Sequence, residues 1–203
     1  MSEYQVSNID PGILATVTDE LNKREERQKR QYEFLRELQS LARELPSKFQ
    51  QRLSSDVLVS LASSLLDTTV FAIVSGSSDI QRMEEQNLFS QRKKLINDLS
   101  EEKQKMAATH KERIYKCQSA THNLKHVELQ NREELEAFER KKRDELFRYD
   151  KTVVEKLDAK VRSQQTTLMK AGVAGFYETE DPEEIRLQMY ILDFIARLSP
   201  SGI

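Results

Sequence analysis

LKHVELQNREELEAFERKKRDELFRYDKTVVEKLDAKVRSQQTTL, residues Leu124 to Leu168, places a leucine at every eleventh position: Leu124, Leu135, Leu146, Leu157 and Leu168. Eleven residues make three helical turns, so these side chains stack along one side of a helix at about 3.67 residues per turn. That period leaves the row nearly straight or weakly right-handed, unlike a leucine zipper. Val127, Phe138 and Tyr149 lie three places after the first three leucines, and Val153 and Val161 fill the same side lower down. The stretch belongs to a longer one, Ser77 to Ala171, which holds no Gly and no Pro and lies between Gly76 and Gly172. It reads as one long helix of coiled-coil type.

A solvated single helix is the plainer interpretation. Acid-then-base pairs at i,i+4, such as Glu136 with Arg140 and Asp144 with Arg148, would support one. The seven such pairs that we count contribute roughly 0.2 to 0.5 kcal/mol each and weaken with salt. Burying five leucines contributes on the order of 7 to 15 kcal/mol as an upper estimate. Burial dominates, so the row needs a cover. Leu124, Val127, Leu135, Phe138, Leu146, Tyr149, Leu157, Val161 and Leu168 therefore form the expected partner-binding seam, with a second copy or another coiled-coil protein opposite.

Composition agrees. The 203 residues are 33% charged and 37% hydrophobic, with five Gly, four Pro and no Trp, which suits long helices better than sheets. The net charge of −2 does not favour general binding to nucleic acid or anionic membranes. Cys117 is the only cysteine, so there is no intramolecular disulfide framework, and a reducing compartment is the natural home. The polar start, Met1 to Gly12, does not read as a secretory signal. The most apolar run, Val57 to Val74, is interrupted by serines, threonines and Asp67, so it reads as core and not as a membrane span. An intracellular protein, cytoplasmic or nuclear, is expected.

The expected organisation is all-α: a small antiparallel helical head, one very long coiled-coil-type helix and a short C-terminal fold-back. Residues 1–17 read as a flexible lead-in. The head covers residues 18–99, with helices at about 18–45 and 56–74 and the start of the long helix. Thr18 is a candidate N-cap, and Pro46 ends the first helix because a proline disfavours helical geometry in the residue before it. Ser47 to Leu53 forms a short helix placing Phe49 and Leu53 against the core. Gly76 to Asp79 makes a turn into the long helix over 77–171. Residues 172–203 hold a glycine bend, with Gly172 as a left-handed cap, and a last helix started by Asp181 and Pro182. Apolar positions thin out over residues 100–123, where the long helix could bend or open.

Little in the sequence points to chemistry. His122 and His126 share a helix face at i,i+4, a spacing that can present two ligands to zinc, but Cys117 is off that stripe and no HExxH pattern exists. They read as exposed histidines, and no metal, cofactor or catalytic residue is assigned. Arg140, Lys141, Lys142 and Arg143 resemble a nuclear-import run, although a solvated helix face explains them equally well. The alternative function, a nuclear regulator contacting nucleic acid or chromatin, would rest on that basic patch.

Two blocks carry a family resemblance. ELPSKFQQRL (Glu44 to Leu53) continuing through LLDTTVFAIVSG (Leu65 to Gly76), and KAGVAGFY (Lys170 to Tyr177) continuing through LQMYILDFIARL (Leu187 to Leu198), resemble the gonadal protein family. That family joins the insect gonadal protein gdl to the vertebrate DiGeorge syndrome critical region proteins, and the chain looks like its insect branch. The resemblance implies a coiled-coil protein without known enzymatic activity, gonadal expression in insects and a developmental role in vertebrates, some members being nuclear. It supplies no ligand or catalytic residues, and it leaves the middle of the long helix matched only as generic coiled coil. The expected function is thus a non-enzymatic interaction or scaffold protein that self-associates.

Overall fold

The computed structural model describes residues 11–117 and 121–199, and among these there are helices and no strands. The elements are α1 (Pro11–Glu44), α2 (Ser47–Gln50), α3 (Ser55–Ser64), α4 (Thr69–Cys117), α5 (Thr121–Lys170) and α6 (Pro182–Arg197). The protein is all-α, as its composition and periodicity predict. It divides into two compact units, one made of the residues up to Ser77 and from Arg162 onward, the other of Ser78–Val161.

The first unit is built around a single apolar core. Phe34, Leu38, Ala42 and Leu45 come from α1, Phe49 from α2, Leu58, Leu61 and Ala62 from α3, and Val70, Phe71 and Val74 from the start of α4. Leu53, Leu65, Leu168, Val173, Phe176 and the α6 residues Leu187, Ile191, Phe194 and Ile195 complete it. Aromatic contacts lie inside: Phe34 and Phe71 have ring centroids 6.0 Å apart, and Phe49 meets Tyr190 edge-on at 5.2 Å. The α1 helix stops at Glu44, before Pro46, for the steric reason already given. Ser54 caps α3 by accepting from the Val57 N–H, and Asp181 caps α6 by accepting from the Glu183 N–H, with Pro182 in the first turn. At its C-terminal end α5 closes with a Schellman motif: Val173 N–H donates to Leu168 O, Gly172 N–H to Met169 O, and Gly172 has φ +73°. Leu168 and Val173 are both buried, the apolar contact that accompanies this cap.

Buried glutamines hold the loop after α5. Gln165 donates from Nε2 to Thr179 O and accepts from Thr179 N–H, while Gln188 Nε2 donates to Tyr177 O at 2.9 Å. Each satisfies a loop backbone group that would otherwise be buried without a partner. Arg52 pairs with Glu184, and Lys48 with Glu183 at 2.9 Å, joining the residues around α2 to the first turn of α6.

Several expected boundaries move. The α1 helix begins at Pro11, so residues 11–17 are helical and Thr18 is an interior position whose Oγ1 donates back to Leu14 O. The rest of the expected lead-in lies outside the described residues. The apolar helix expected over 56–74 is broken between Ser64 and Thr69, where Asp67 Oδ1 accepts from the Thr69 N–H and starts α4. Gly76, expected in a turn, is helical, and α4 runs through it. The single helix expected over 77–171 is two: α4 ends at Cys117, and α5 starts at Thr121 and returns antiparallel along it. A helix that turns back on itself buries its apolar row without the entropic cost of holding a second molecule.

Candidate partner-binding surface

The second unit is an antiparallel helical hairpin, and its register is set by charge. Arg92 forms a bidentate pair with Asp150, Nε to Oδ1 at 2.7 Å and Nη2 to Oδ2 at 3.0 Å. Eleven residues further along α4, Lys103 meets Glu139, eleven residues back along α5, at 2.5 Å. Glu102 accepts from Lys141 at 2.7 Å. Nearer the ends of the two arms, Arg113 Nη1 and His110 Nε2 converge on Glu134 at 2.8 and 2.9 Å. Buried Asn131 sits beside them, accepting from Arg113 and donating to His110 O. A buried amide between apolar layers is a register device, since any slip leaves it unpaired. Tyr149 OH adds a cross-hairpin bond to Leu88 O at 2.8 Å.

The Arg92 guanidinium holds the Asp150 carboxyl below the usual carboxylate range, and Lys103 does the same to Glu139. Glu134 is lowered by its hydrogen bonds from Arg113 and then His110. Lys141 is raised by Glu102. These are the shifts of paired surface charges.

The seam residues divide between the two units. Phe138 is buried, and Leu124, Val127, Leu146, Tyr149, Leu157 and Val161 are half-buried, whereas Leu135 stays 39% exposed. Leu168 is fully buried in the core of the first unit. Inside the hairpin α4 supplies the complement: Leu88 and Leu99 are buried, eleven residues apart, and His110 follows eleven later. Sequence reasoning followed the eleven-residue row in the second arm and missed its counterpart in the first, although Leu88 and Leu99 carry the same spacing.

The two sides of the hairpin differ. On either helix a residue one position after an inward-facing one is turned about 100° from the seam. Because the helices are antiparallel, those positions on both arms share one side. Phe89 follows Leu88, Ile96 follows Leu95, Leu135 follows Glu134, Leu146 follows Glu145 and Val154 follows Val153. Of these Phe89 is 70% exposed, Val154 57%, Leu135 39% and Ile96 36%. Counting from the Arg92–Asp150 pair sets Ile96 level with Leu146, and Phe89 within a residue of Val154. Positions one before inward-facing residues carry Asn87, Gln91 and Asp98 on α4 and Ala137, Arg148 and Thr152 on α5. One side of the hairpin thus carries exposed apolar side chains along its middle, with Lys93, Glu139, Arg143 and Asp150 between them, and the other is mostly polar there, with exposed Ile80 and Met83 nearer the start of α4.

In the basic run Lys141 is tied to Glu102 across the hairpin and Lys142 is half-buried, while Arg140 and Arg143 are exposed. His126 is exposed, and the His122 side chain lies outside the described residues. Among the described residues no group of three His, Cys, Asp or Glu gathers into a metal site, and Cys117 is half-buried. No single described helix is long and apolar enough to cross a membrane.

A helical core unit and an antiparallel hairpin define an all-α protein. The chain belongs to the family of the DiGeorge syndrome critical region 6 (DGCR6) protein, whose model matches residues 13–202. It is 46% identical to Protein DGCR6 of Gallus gallus over 171 residues, 84% of either chain. It is also 35% identical to Gonadal protein gdl of Drosophila melanogaster over 172 residues, 85% of this chain and 81% of that one. No solved structure matches it.

Proposed function

We propose that the protein is a non-enzymatic interaction or scaffold protein that pairs with helical partners through the apolar side of its hairpin. The setting is gonadal or developmental, as the names of its relatives indicate. The observation that supports this reading is the row of Phe89, Ile96, Leu135 and Val154, large apolar side chains left open on one side of an otherwise well-paired hairpin. Large exposed apolar side chains that recur along one side of a charged hairpin, with Lys93, Glu139, Arg143 and Asp150 between them, favour contact with another helix. Seam residues Leu146 and Leu157 border that row, so the seam takes part from its half-buried edge.

The test compares the full chain with Phe89→Glu/Val154→Glu, two exposed positions where the change leaves the fold intact. Sedimentation gives self-association, and affinity capture from gonadal extract gives other partners. Loss of dimer or of a captured protein in the double variant, with unchanged circular dichroism, is the expected result. A variant that keeps every association of the parent would count against this surface.

A further inference from the structure

We infer that the part of the hairpin past the Lys103–Glu139 pair, residues 105–117 of α4 with 123–137 of α5, opens as a cooperative unit while the rest of the hairpin stays closed. The layer formed by His110, Asn131 and Glu134 is the latch that holds it shut. This opening is independent of what the apolar side binds.

The two parts of the hairpin are packed differently. Along 78–104 and 138–161, Leu88, Leu99 and Phe138 are buried, with Leu95, Tyr149 and Val153 half-buried between them. Along 105–117 and 123–137, no apolar side chain is buried. Asn131 alone is, at 7% exposure, while Met106, Ile114, Leu124 and Val127 are half-buried. A segment with few buried apolar contacts and an exposed backbone opens at a lower free energy than the elements it extends.

Polar bonds take the place of apolar packing there. Glu134 accepts from Arg113 and meets His110 Nε2, whose side chain is only 13% exposed. Asn131 accepts from Arg113 and donates to the His110 carbonyl. Groups of this kind fix the register of two helices while adding less stability than apolar side chains of the same size. All of these bonds cross between the arms and share partners, so losing one weakens the others and the layer parts as a whole. Once apart, the two short segments lose the tertiary packing that supplies most of their helical stability, and their amides exchange. The opening also uncovers Ile114, Leu124 and Val127, apolar side chains that the closed hairpin half covers.

The experiment is hydrogen exchange of the full-length protein at neutral pH, read amide by amide in low concentrations of denaturant, with protection taken relative to intrinsic rates. Amides of residues 107–114 on α4 and 128–135 on α5 are expected to share one protection factor, at least about tenfold below that of amides around Leu99 and Tyr149. His110→Leu/Asn131→Leu leaves Glu134 paired with Arg113 and sets two apolar side chains against each other across the arms. That variant should protect the same amides at least about tenfold better and leave those around Leu88 nearly unchanged. Equal protection along the whole hairpin overturns the proposal, because the hairpin then opens as one piece. Protection that climbs residue by residue away from Cys117 and Thr121, with no common value on the two arms, also overturns it, because that is fraying of helix ends. Both of these results come from the parent protein and do not depend on how the variant folds. A folded double variant whose exchange matches the parent's overturns the proposal as well, since the polar layer is then no latch.

Discussion

Three glycines show how one residue type carries three different meanings. Gly76 lies inside α4 with a helical backbone, exposed, and a Cβ there would touch nothing within 4 Å. Gly76→Ala should raise stability by about 0.5 to 1 kcal/mol, the difference in helix propensity. Gly172 has φ +73° with open space around it, so Gly172→Ala carries only the left-handed penalty of about 1 to 2 kcal/mol. Gly175 has φ +88°, and a Cβ there would stand 2.6 Å from Ile191 Cδ1, which is buried in the core. Gly175→Ala should therefore cost more than Gly172→Ala, since Ile191 must also shift. Thermal unfolding of the three variants checks the order: Gly76→Ala above the parent, Gly172→Ala below it, Gly175→Ala lowest. The sequence made the last two legible, because they follow a long helix and precede an N-cap. It misled at Gly76, since a glycine before two serines and an aspartate has the composition of a turn, and helical propensity was outweighed by the packing of Val70, Phe71 and Val74 in the same helix.

At the level of the element, the hairpin is where sequence reading stopped short. The eleven-residue row was plain, and so was its need for a cover, but no Gly or Pro between Ser77 and Ala171 announces that the chain supplies that cover itself. The information lies in pairing across distance, Arg92 with Asp150 and Lys103 with Glu139, which no local pattern displays. Those pairs give the hairpin an acid limit. The carboxyls of Asp150, Glu139 and Glu134 titrate below their ordinary values, 3.8 for Asp and 4.5 for Glu, so the folded state holds their protons less tightly than the unfolded chain does. Their contribution is complete above the ordinary range and disappears as pH falls through the lowered values. Protection of α4 and α5 amides against hydrogen exchange, taken relative to the intrinsic rate at each pH, is expected to fall below about pH 4. Asp150→Asn should weaken the hairpin modestly at neutral pH and flatten that acid dependence. An unchanged acid profile in Asp150→Asn would remove the pair from the account.

For the molecule as a whole, the core of the first unit joins the two ends of the chain. Residues before Ser78 meet residues after Val161, and the intervening segment returns on itself as the hairpin. A connection that folds back need not be long for the core to close. Removing residues 100–110 from α4 together with 132–142 from α5 takes three turns from each arm, so the matched deletion should leave the first unit folded. Near-ultraviolet signals from Phe49 and Tyr190, which pack edge-on, report on that core. Their loss in the shortened chain would show that the hairpin does more than connect.

The divided core also bears on how the protein is made. The 84 residues from Ser78 to Val161 separate its two halves, and at a synthesis rate of roughly 5 to 20 residues per second the first half leaves the ribosome about 4 to 17 s before the second. During that interval Leu38, Leu61, Leu65 and Phe49 have no Ile191, Phe194 or Ile195 to pack against. A nascent chain paused in α5 would present a sticky, half-built surface to chaperones, and a premature stop anywhere before α6 would leave a product fit for degradation and not a shortened working protein.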